Sequence, residues 1–435
     1  MTITPTLQRL TAQGQALVQR FKPQSASVRN VLKLAGGTAG SQVITVAAAP
    51  ILTRLYGPES FGVLATFASI LALLNVVSSL RYELAIAVPE DDDEAIALVW
   101  LCFVLVAIST ALTALGVALL GNQLVSWLHQ PALKPLLWLL PVGVLLTGVY
   151  QPLSYWAIRR KQFGLLAQTK FRQSIFGVAT NLAAAPLGTI GLLLGQIVSQ
   201  SAGFVAILRQ SAAVLLRGPR TAPAVLLKTL QGYSHFGIYS SLAGLINTIG
   251  NQVPNLIFAS AFGAAQLGQL ALAQRLLLLP AGLIGSSVGQ VFLSQAADRY
   301  RAGTLPALIW KASRKLLAYG LVTAAGASVI VAPLMPAIFG VEWAPTRWMI
   351  PLLTPLFLGQ LIVSPLSMAF VAAEKNSAGL IAQTALMGIR LAPLLIFITF
   401  FNVNFSTAIL LYAGTAFLGY LSYLRILTIS LFVPS

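Results

Sequence analysis

The sequence predicts an all-α integral membrane protein of about twelve transmembrane helices in two six-helix lobes, and three observations lead to this prediction. Hydrophobic residues make up 57% of the 435 residues and charged residues only 9%, whereas soluble domains carry about 25% charged residues. Apolar runs of about 20 residues, long enough to cross a hydrocarbon core of about 30 Å, recur along the chain. Short segments of the first half also return in the second. The alternating segments of a β-barrel are missing from the sequence.

The apolar runs and the turn residues between them define the individual helices. LYGPESFG separates the first two runs, EDDDE the next two, and FGVEWAPTR precedes the tenth. We predict helices at about 30–53, 61–88, 96–120, 135–158, 165–186, 189–208, 232–261, 267–296, 313–339, 347–372, 378–400 and 405–426.

The positions of Lys and Arg predict the orientation. With a cytoplasmic N-terminus, most loop cations fall inside, and the outer side holds only Arg54, Lys134 and Arg347. The positive-inside rule therefore places both termini in the cytoplasm. The net charge of +17 is concentrated in these loops, so it indicates membrane topology and not nucleic-acid binding.

Two short repeated segments predict that the two halves of the chain share one helical arrangement. YGPESFGVLA returns as FGAAQLGQLA at an offset of 206, and GLLAQT at 164–169 returns as GLIAQT at 379–384 at an offset of 215. Six helices per half is an even number, so the repeat is parallel, about an axis along the membrane normal. Such an axis leaves a central cleft, where transporters hold substrate.

The predicted organisation has four parts. Residues 1–29 form a cytoplasmic N-terminal segment, compatible with an amphipathic surface helix or a disordered tail. The N-lobe spans 30–208 and the C-lobe 232–435. The basic segment 209–231 between them is expected to be a cytoplasmic loop, because its Gly and Pro favour a turn.

Arginines inside apolar segments are the first candidate site residues. An Arg at the bilayer centre costs about 2.5–3.5 kcal/mol on insertion scales, so it is expected to face protein or water. Arg81, Arg275 and Arg390 lie in such segments, and Arg54 lies near the outer end of the first helix. A structural role is the alternative to a site role for these arginines. Arg81 would then form an ion pair with Glu83 or snorkel to the membrane surface, and Arg275 and Arg390 would form interhelical hydrogen bonds.

Uncharged polar residues on the first and seventh helices are the second group. Asn247, Asn251 and Asn255 are spaced by four, and Gln42 lies with Thr38, Ser41 and Thr45 at matching positions of the first helix. Gln274 precedes Arg275. These residues indicate either a hydrated cleft or ordinary polar contacts between helices. Glu83 is the one acidic residue well inside a predicted span, which makes it the candidate for ion coupling.

Several classes of function are excluded or disfavoured. The chain has no P-loop, and its two histidines and single Cys102 are too few for a typical metal site. We therefore expect no metal and no cofactor. Short outer loops leave little room for an extramembrane catalytic portion, so we expect no enzymatic activity.

Three motifs carry a family resemblance. LTRLYGPESFGVLA with RYELAIAVPEDDDEA, then WAIRRKQFGLLAQT, and then FGAAQLGQLALAQRLLLLPAGLIGSSVGQVF resemble the polysaccharide biosynthesis proteins that include O-antigen flippases, within the MOP superfamily. The resemblance covers about 30–390. It implies a flippase of the bacterial inner membrane that moves a polyprenyl-diphosphate-linked oligosaccharide to the outer leaflet through a cationic cavity, by alternating access. It also leaves room for contacts with a polysaccharide polymerase and assembly proteins.

Three alternatives stay open at this point. A MATE-like drug or cation antiporter has the same helical plan but usually needs intramembrane carboxylates. A membrane glycan polymerase is disfavoured by the short loops. A scaffold within a polysaccharide assembly complex is compatible with the sequence.

Overall fold

The computed structural model describes residues 26–217, 223–373 and 375–432, and within these residues the chain is helical without β-strands. The predicted N-terminal segment lies outside the described residues except for its last four positions. In the N-terminal half (26–217) the α-helices are α1 (Ala26–Leu55), α2 (Pro58–Ser78), α3 (Asp92–Leu128), α4 (Leu139–Arg159), α5 (Phe163–Ala183) and α6 (Thr189–Arg217). Short 3₁₀ segments follow α2, α3 and α5 at Tyr82–Ala87, Pro131–Leu136 and Ala185–Leu187.

The C-terminal half (223–432) follows a comparable order after one short helix. Its helices are α7 (Pro223–Gly232), α8 (Ser234–Phe262), α9 (Ala264–Arg301), α10 (Leu305–Gly326), α11 (Ala332–Phe339), α12 (Thr346–Leu366), α13 (Met368–Ala372), α14 (Asn376–Phe401) and α15 (Phe405–Phe432). A π-helical turn, Ala327–Val331, joins α10 to α11, and a 3₁₀ turn, Val341–Trp343, precedes α12.

The described helices confirm a multi-pass membrane protein. Seven segments within the described residues are long and apolar enough to cross a bilayer: Pro58–Ser78, Asp92–Leu128, Thr189–Ser211, Leu305–Phe339, Val341–Phe370, Asn376–Phe401 and Phe405–Leu431. Long helices outside this set include α5 and α8, which carry several polar side chains. The predicted total of twelve crossings and the cytoplasmic position of both termini stay predictions.

Several helices are longer than the apolar runs that predicted them. α3 begins at Asp92 and ends at Leu128, and α9 reaches Arg301. An apolar run marks only the part of a helix that lies in hydrocarbon, and the helix continues through the head-group region on either side.

The predicted second helix, 61–88, is wrong beyond Ser78. The chain reverses there, because Leu80 and Arg81 adopt positive φ angles of 49° and 59°. A 3₁₀ segment follows, and the Ser79 hydroxyl bonds the carboxylate of Glu83 at 2.6 Å across the break. Since Ala85 and Ile86 are fully buried, the apolar run continues through the break, and hydrophobicity alone does not reveal it. Arg81 therefore lies in a turn and not within a helix.

The predicted loop at 209–231 is also wrong for most of its length. α6 continues to Arg217, and α7 begins at Pro223. Proline favours the first position of a helix, where its missing N–H is not needed, so here it starts a helix. Leu226 and Leu230 of α7 pack against a buried cluster of the N-terminal half that includes Trp156.

Helix pairings in the two halves correspond. In the N-terminal half α5 packs between α1 and α6, while α4 contacts α3 and α6. In the C-terminal half α14 packs between α8 and α15, while α12 contacts α10 and α15. The two halves meet mainly where α2 packs against α8 and α9.

The seam between the halves is closest at two glycines. A Cβ at Gly62 would overlap the carbonyl oxygen of Ala264, and a Cβ at Gly268 would overlap the carbonyl oxygen of Pro58. Gly62 and Gly268 are 206 residues apart, as are Pro58 and Ala264. Each half thus presents the same pair of positions to the other, which is the contact expected across a two-fold axis.

We expect Gly62→Ala to destabilise the protein by about 1–3 kcal/mol, because the added methyl group meets backbone at the seam. Gly116→Ala is the matched control, since nothing lies within 4 Å of a Cβ at that position of α3. Thermal unfolding of the two purified variants measures the difference. Equal unfolding temperatures would show that the halves do not pack closely at Gly62.

Candidate functional site

A polar cavity of about 440 Å³ lies inside the C-terminal half, enclosed by α8, α12, α14 and α15. We call it the C-half cavity. Its polar lining includes Asn247, Asn251, Gln360, Gln383, Arg390 and Tyr420. The described residues that line it include no Asp or Glu. Its ionisable groups are therefore one guanidinium and two tyrosine hydroxyls, so the cavity carries positive charge.

Arg390 is held in place by contacts to two other helices. Its side chain is 4% exposed, and Nη1 donates to Oδ1 of Asn251 on α8 at 3.1 Å. Nη2 donates to the hydroxyl of Tyr412 on α15, and the guanidinium carbon lies 4.9 Å from the centre of that ring. Nε is buried without a hydrogen-bond partner among the described residues. Arg390 thus forms the interhelical hydrogen bonds that the sequence left open as an alternative, and it also lines the cavity.

The polar stripe on α8 divides into two functional parts. Asn247 and Asn251 line the C-half cavity, and the amide nitrogen of Asn251 donates to Oδ1 of Asn247 at 3.1 Å. On another side of α8, Gln252 and Asn255 both bond the hydroxyl of Ser69 on α2, at 3.0 and 3.2 Å. The first pair faces the cavity, and the second pair joins the two halves.

Arg275 and Gln274 are both half-buried on α9, outside the set of residues that line the C-half cavity. Arg275 lies eleven residues after the start of α9 at Ala264, about 17 Å along the helix axis. In the described part of the chain it has no hydrogen-bond or ion-pair partner. No described residue therefore compensates its charge near the expected middle of the bilayer.

Arg54 lies at the seam and outside the C-half cavity. Its exposed guanidinium donates to the carbonyl oxygen of Ala337 at 2.8 Å, near the C-terminal end of α11. Beside it, Nε1 of Trp343 donates to the carbonyl oxygen of Thr53 at 3.0 Å, and the rings of Trp343 and Phe61 are 5.1 Å apart, edge to face. These contacts tie the end of α1 to the C-terminal half.

Arg81 and Glu83 do not form the ion pair that the sequence left open. Glu83 is 2% exposed and bonds Ser79. Arg81 is half-buried against α8, where a Cβ at Gly244 would lie 3.3 Å from its Nε. That Nε is buried without a hydrogen-bond partner in the residues described.

Gln42 is half-buried on α1 and does not line the C-half cavity. Its neighbours Ser41 and Thr45 both bond carbonyl oxygens of their own helix. The structure therefore brings together Asn247, Asn251 and Arg390 from the predicted set.

Two further arginines were not predicted as site residues. Arg172 of α5 and Arg209 of α6 line a cavity of about 840 Å³ between those helices. Arg172 lies within the predicted fifth helix, so the test that selected Arg275, a cation inside an apolar span, also finds it. Arg209 follows the predicted end of the sixth helix at 208, so it falls in the predicted cytoplasmic segment 209–231. The sequence does not single out Tyr412, the aromatic partner of Arg390, because tyrosine is common in membrane helices.

The fold and the charged interior define a polytopic membrane protein. A family model described as polysaccharide biosynthesis protein matches residues 51–347, which is more than half of the chain. The chain belongs to the polysaccharide biosynthesis protein family.

Solved structures with a similar fold include a lipid II flippase and MATE family transporters. The chain is similar to lipid II flippase MurJ in an inward closed conformation, with a TM-score of 0.71 and 14% identity over 92% of this chain and 91% of that one. It is also similar to an inward-facing multidrug resistance MATE family transporter (TM-score 0.66, 14% identity, 92% and 94% covered). A third is the Vibrio cholerae MATE transporter VcmN in the bent form (0.57, 12%, 93% and 96%). No curated protein is similar enough to this chain to count as a match.

We expect Tyr412→Phe to lower the stability of the protein by about 1.5–3 kcal/mol, the usual value of a hydrogen bond to a charged group. The ring beside Arg390 is kept and only the accepting hydroxyl is lost. Tyr319→Phe, which changes an exposed tyrosine, is the control. Thermal unfolding of both variants tests the role of the hydroxyl, and equal unfolding temperatures would contradict it.

Proposed function

We propose that the protein is a flippase for a polyprenyl-diphosphate-linked oligosaccharide, the repeat unit of an O-antigen or exopolysaccharide. It moves this lipid from the cytoplasmic to the periplasmic leaflet of a bacterial inner membrane and catalyses no covalent reaction. The observation that carries the proposal is the C-half cavity, which combines one buried Arg with amide and hydroxyl groups and has no carboxylate in its described lining.

The chemistry of this cavity suits the head group of such a lipid. A guanidinium stays charged in a protein and matches phosphate oxygens with a planar fork of donors. Amides such as Gln360 and Gln383 both donate and accept hydrogen bonds, as sugar hydroxyls do. A volume of about 440 Å³ lies within the usual range of small-molecule sites.

Movement of the head group requires that the halves open alternately. In the proposed mechanism the lobes 30–208 and 232–435 rock about the seam at Gly62 and Gly268, and the segment 209–231 connects them in the cytoplasm, where both termini also lie. The contacts of Arg54 and Trp343 hold the predicted outer end closed, so the head group enters from the inner side. The polyprenyl chain stays in the lipid while the head group crosses.

A MATE-like antiporter is the main alternative, because the fold is shared by flippases and MATE transporters. A cation antiporter needs a carboxylate that its ion can reach. Glu83 is buried, bonded to Ser79 and absent from the lining of the C-half cavity. The site therefore favours an anionic cargo over a cationic one.

A glycan polymerase and a scaffold are the remaining alternatives. The connections at the predicted outer side are short: two residues join α1 to α2 and only Gly263 joins α8 to α9, which leaves little room for a catalytic portion there. Contacts with a polymerase or with assembly proteins are compatible with the flippase proposal.

We expect Arg275→Ala and Arg390→Ala each to reduce export of the glycan by about 10- to 100-fold, because each removes a charged donor worth about 1.5–3 kcal/mol. Surface polysaccharide in cells that lack the native chain measures export, and immunoblotting of membranes measures insertion.

Arg347→Ala is the control for these two variants, since it removes an exposed guanidinium that stacks on Trp348. Unchanged surface polysaccharide in both Arg275→Ala and Arg390→Ala, at normal membrane levels, would refute the cationic pathway.

We expect Glu83→Gln to leave glycan export within about twofold of the native level, since the Gln oxygen still accepts the bond from Ser79. An antiporter that couples through Glu83 predicts instead the loss of ion-driven transport. Surface polysaccharide in cells measures glycan export, and ion-driven uptake of a cationic drug into proteoliposomes measures antiport. Loss of both activities in Glu83→Gln would favour the antiporter.

A further inference from the structure

The cavity between α5 and α6 is larger than the C-half cavity and lies in the other half of the protein. It has a volume of about 840 Å³, and we call it the α5–α6 pocket. Its lining combines two guanidiniums, from Arg172 and Arg209, with Ser201 and Gln210. An apolar wall that includes Phe176 and Val205 completes it.

The two guanidiniums of this pocket have no counter-charge among the residues that the structure describes. Both side chains are exposed, and neither has a hydrogen-bond or ion-pair partner in the described part of the chain. The described lining contains no Asp or Glu. Arg172 lies nine residues after the start of α5, about 14 Å along the helix axis. A guanidinium at that depth is costly unless water or an anion solvates it.

The pocket does not arise from loose packing of the two helices. α5 and α6 pack closely on a different face, where Cβ atoms at Gly177 and Gly203 would touch Ser199 and Gln173. Arg172 also lines a second cavity of about 370 Å³ between α1 and α5, together with Gly37 and Gln168. Arg172 thus stands where two cavities of the N-terminal half adjoin.

The repeat provides an independent argument. At the offset of 215, Gln168 and Arg172 of α5 correspond to Gln383 and Met387 of α14. Both of these α14 residues line the C-half cavity. The same face of the equivalent helix therefore borders a cavity in each half, but only the N-terminal half places a guanidinium at this position.

We propose that Arg172 and Arg209 form a docking site for the diphosphate of a polyprenyl-diphosphate lipid, separate from the C-half cavity. This inference rests on the proposed function and adds a second phosphate site to it. Two guanidiniums match the two phosphates of the carrier, Ser201 and Gln210 supply neutral donors, and the first isoprene units lie along Phe176 and Val205. A phospholipid with one phosphate matches this charge less well.

Native mass spectrometry of the full-length protein, titrated with polyprenyl diphosphate and separately with phosphatidylglycerol, tests the proposal. We expect Arg172→Gln and Arg209→Gln each to weaken binding of polyprenyl diphosphate by about 10- to 100-fold, the range for one lost charged hydrogen bond. Lys170→Gln is the matched control, because Lys170 is an exposed cation on the same helix that lies 5.4 Å from the ring of Tyr150 and does not line the pocket. We expect it to change binding less than about twofold.

Three results would overturn the docking site. The first is native-like affinity in both arginine variants, and the second is an equal loss of affinity in Lys170→Gln. The third is equal affinity of the native protein for phosphatidylglycerol and polyprenyl diphosphate, which would identify a site for bulk anionic lipid. If Arg172→Gln does not fold, Arg172→Lys keeps the charge without the fork, and we expect it to bind more weakly than the native protein.

The proposed function fails in a different way from the docking site. A native protein that binds no polyprenyl diphosphate at all refutes the flippase proposal, and normal glycan export by both Arg275→Ala and Arg390→Ala refutes its cationic pathway. A native protein that binds the lipid, with unaltered binding in Arg172→Gln and Arg209→Gln, refutes only the site between α5 and α6.

Discussion

The cost of placing a guanidinium in an apolar segment is the constraint on which the interior of this protein depends. Arginine does not lose its proton in a protein, so the charge has to be solvated by other protein groups, by water or by an anion. Arg390 is solvated by Asn251 and by Tyr412. Arg172 and Arg275 have no such partner among the described residues, so the described part of the chain leaves water or an anion to solvate them. In the proposed function, a water-filled pathway that receives anions meets this requirement.

The seam between the halves makes such a pathway compatible with a stable protein. Gly62 and Gly268 bring the backbones of α2 and α9 into direct contact, and small residues at a helix interface permit the dispersion contacts that hold membrane helices together. The polar bonds of Ser69 with Gln252 and Asn255 add specificity to the same contact. Because the packing contacts between the halves are concentrated along α2, the polar cavities inside each half do not have to be filled by the other half.

Much of the fold follows from the sequence, and the errors have specific causes. Apolar runs predicted the helices because burial in lipid requires them. The repeat at an offset of 206 predicted that Gly62 and Gly268 are equivalent positions, and the structure places both of them at the seam. The break at Leu80 and Arg81 was missed because hydrophobicity does not report backbone angles. The site was predicted only in part. Sequence spacing placed Asn247 and Asn251 on one face, but it did not show that Arg54 turns to the seam, since the rotation of a helix is set by its neighbours.

The internal bonds of Arg390 bear on how such a protein releases its cargo. A transport site has to bind well enough to admit a ligand and weakly enough to let it go. In the proposed mechanism a phosphate that reaches Arg390 competes with Asn251 and Tyr412 for the same N–H donors, so only the difference between the two sets of bonds contributes to affinity. Asn251 and Tyr412 bond Arg390 again when the phosphate leaves, so Nη1 and Nη2 are both paired after its release. An arginine with partners of its own is thus better suited to passage through the membrane than to storage of the lipid.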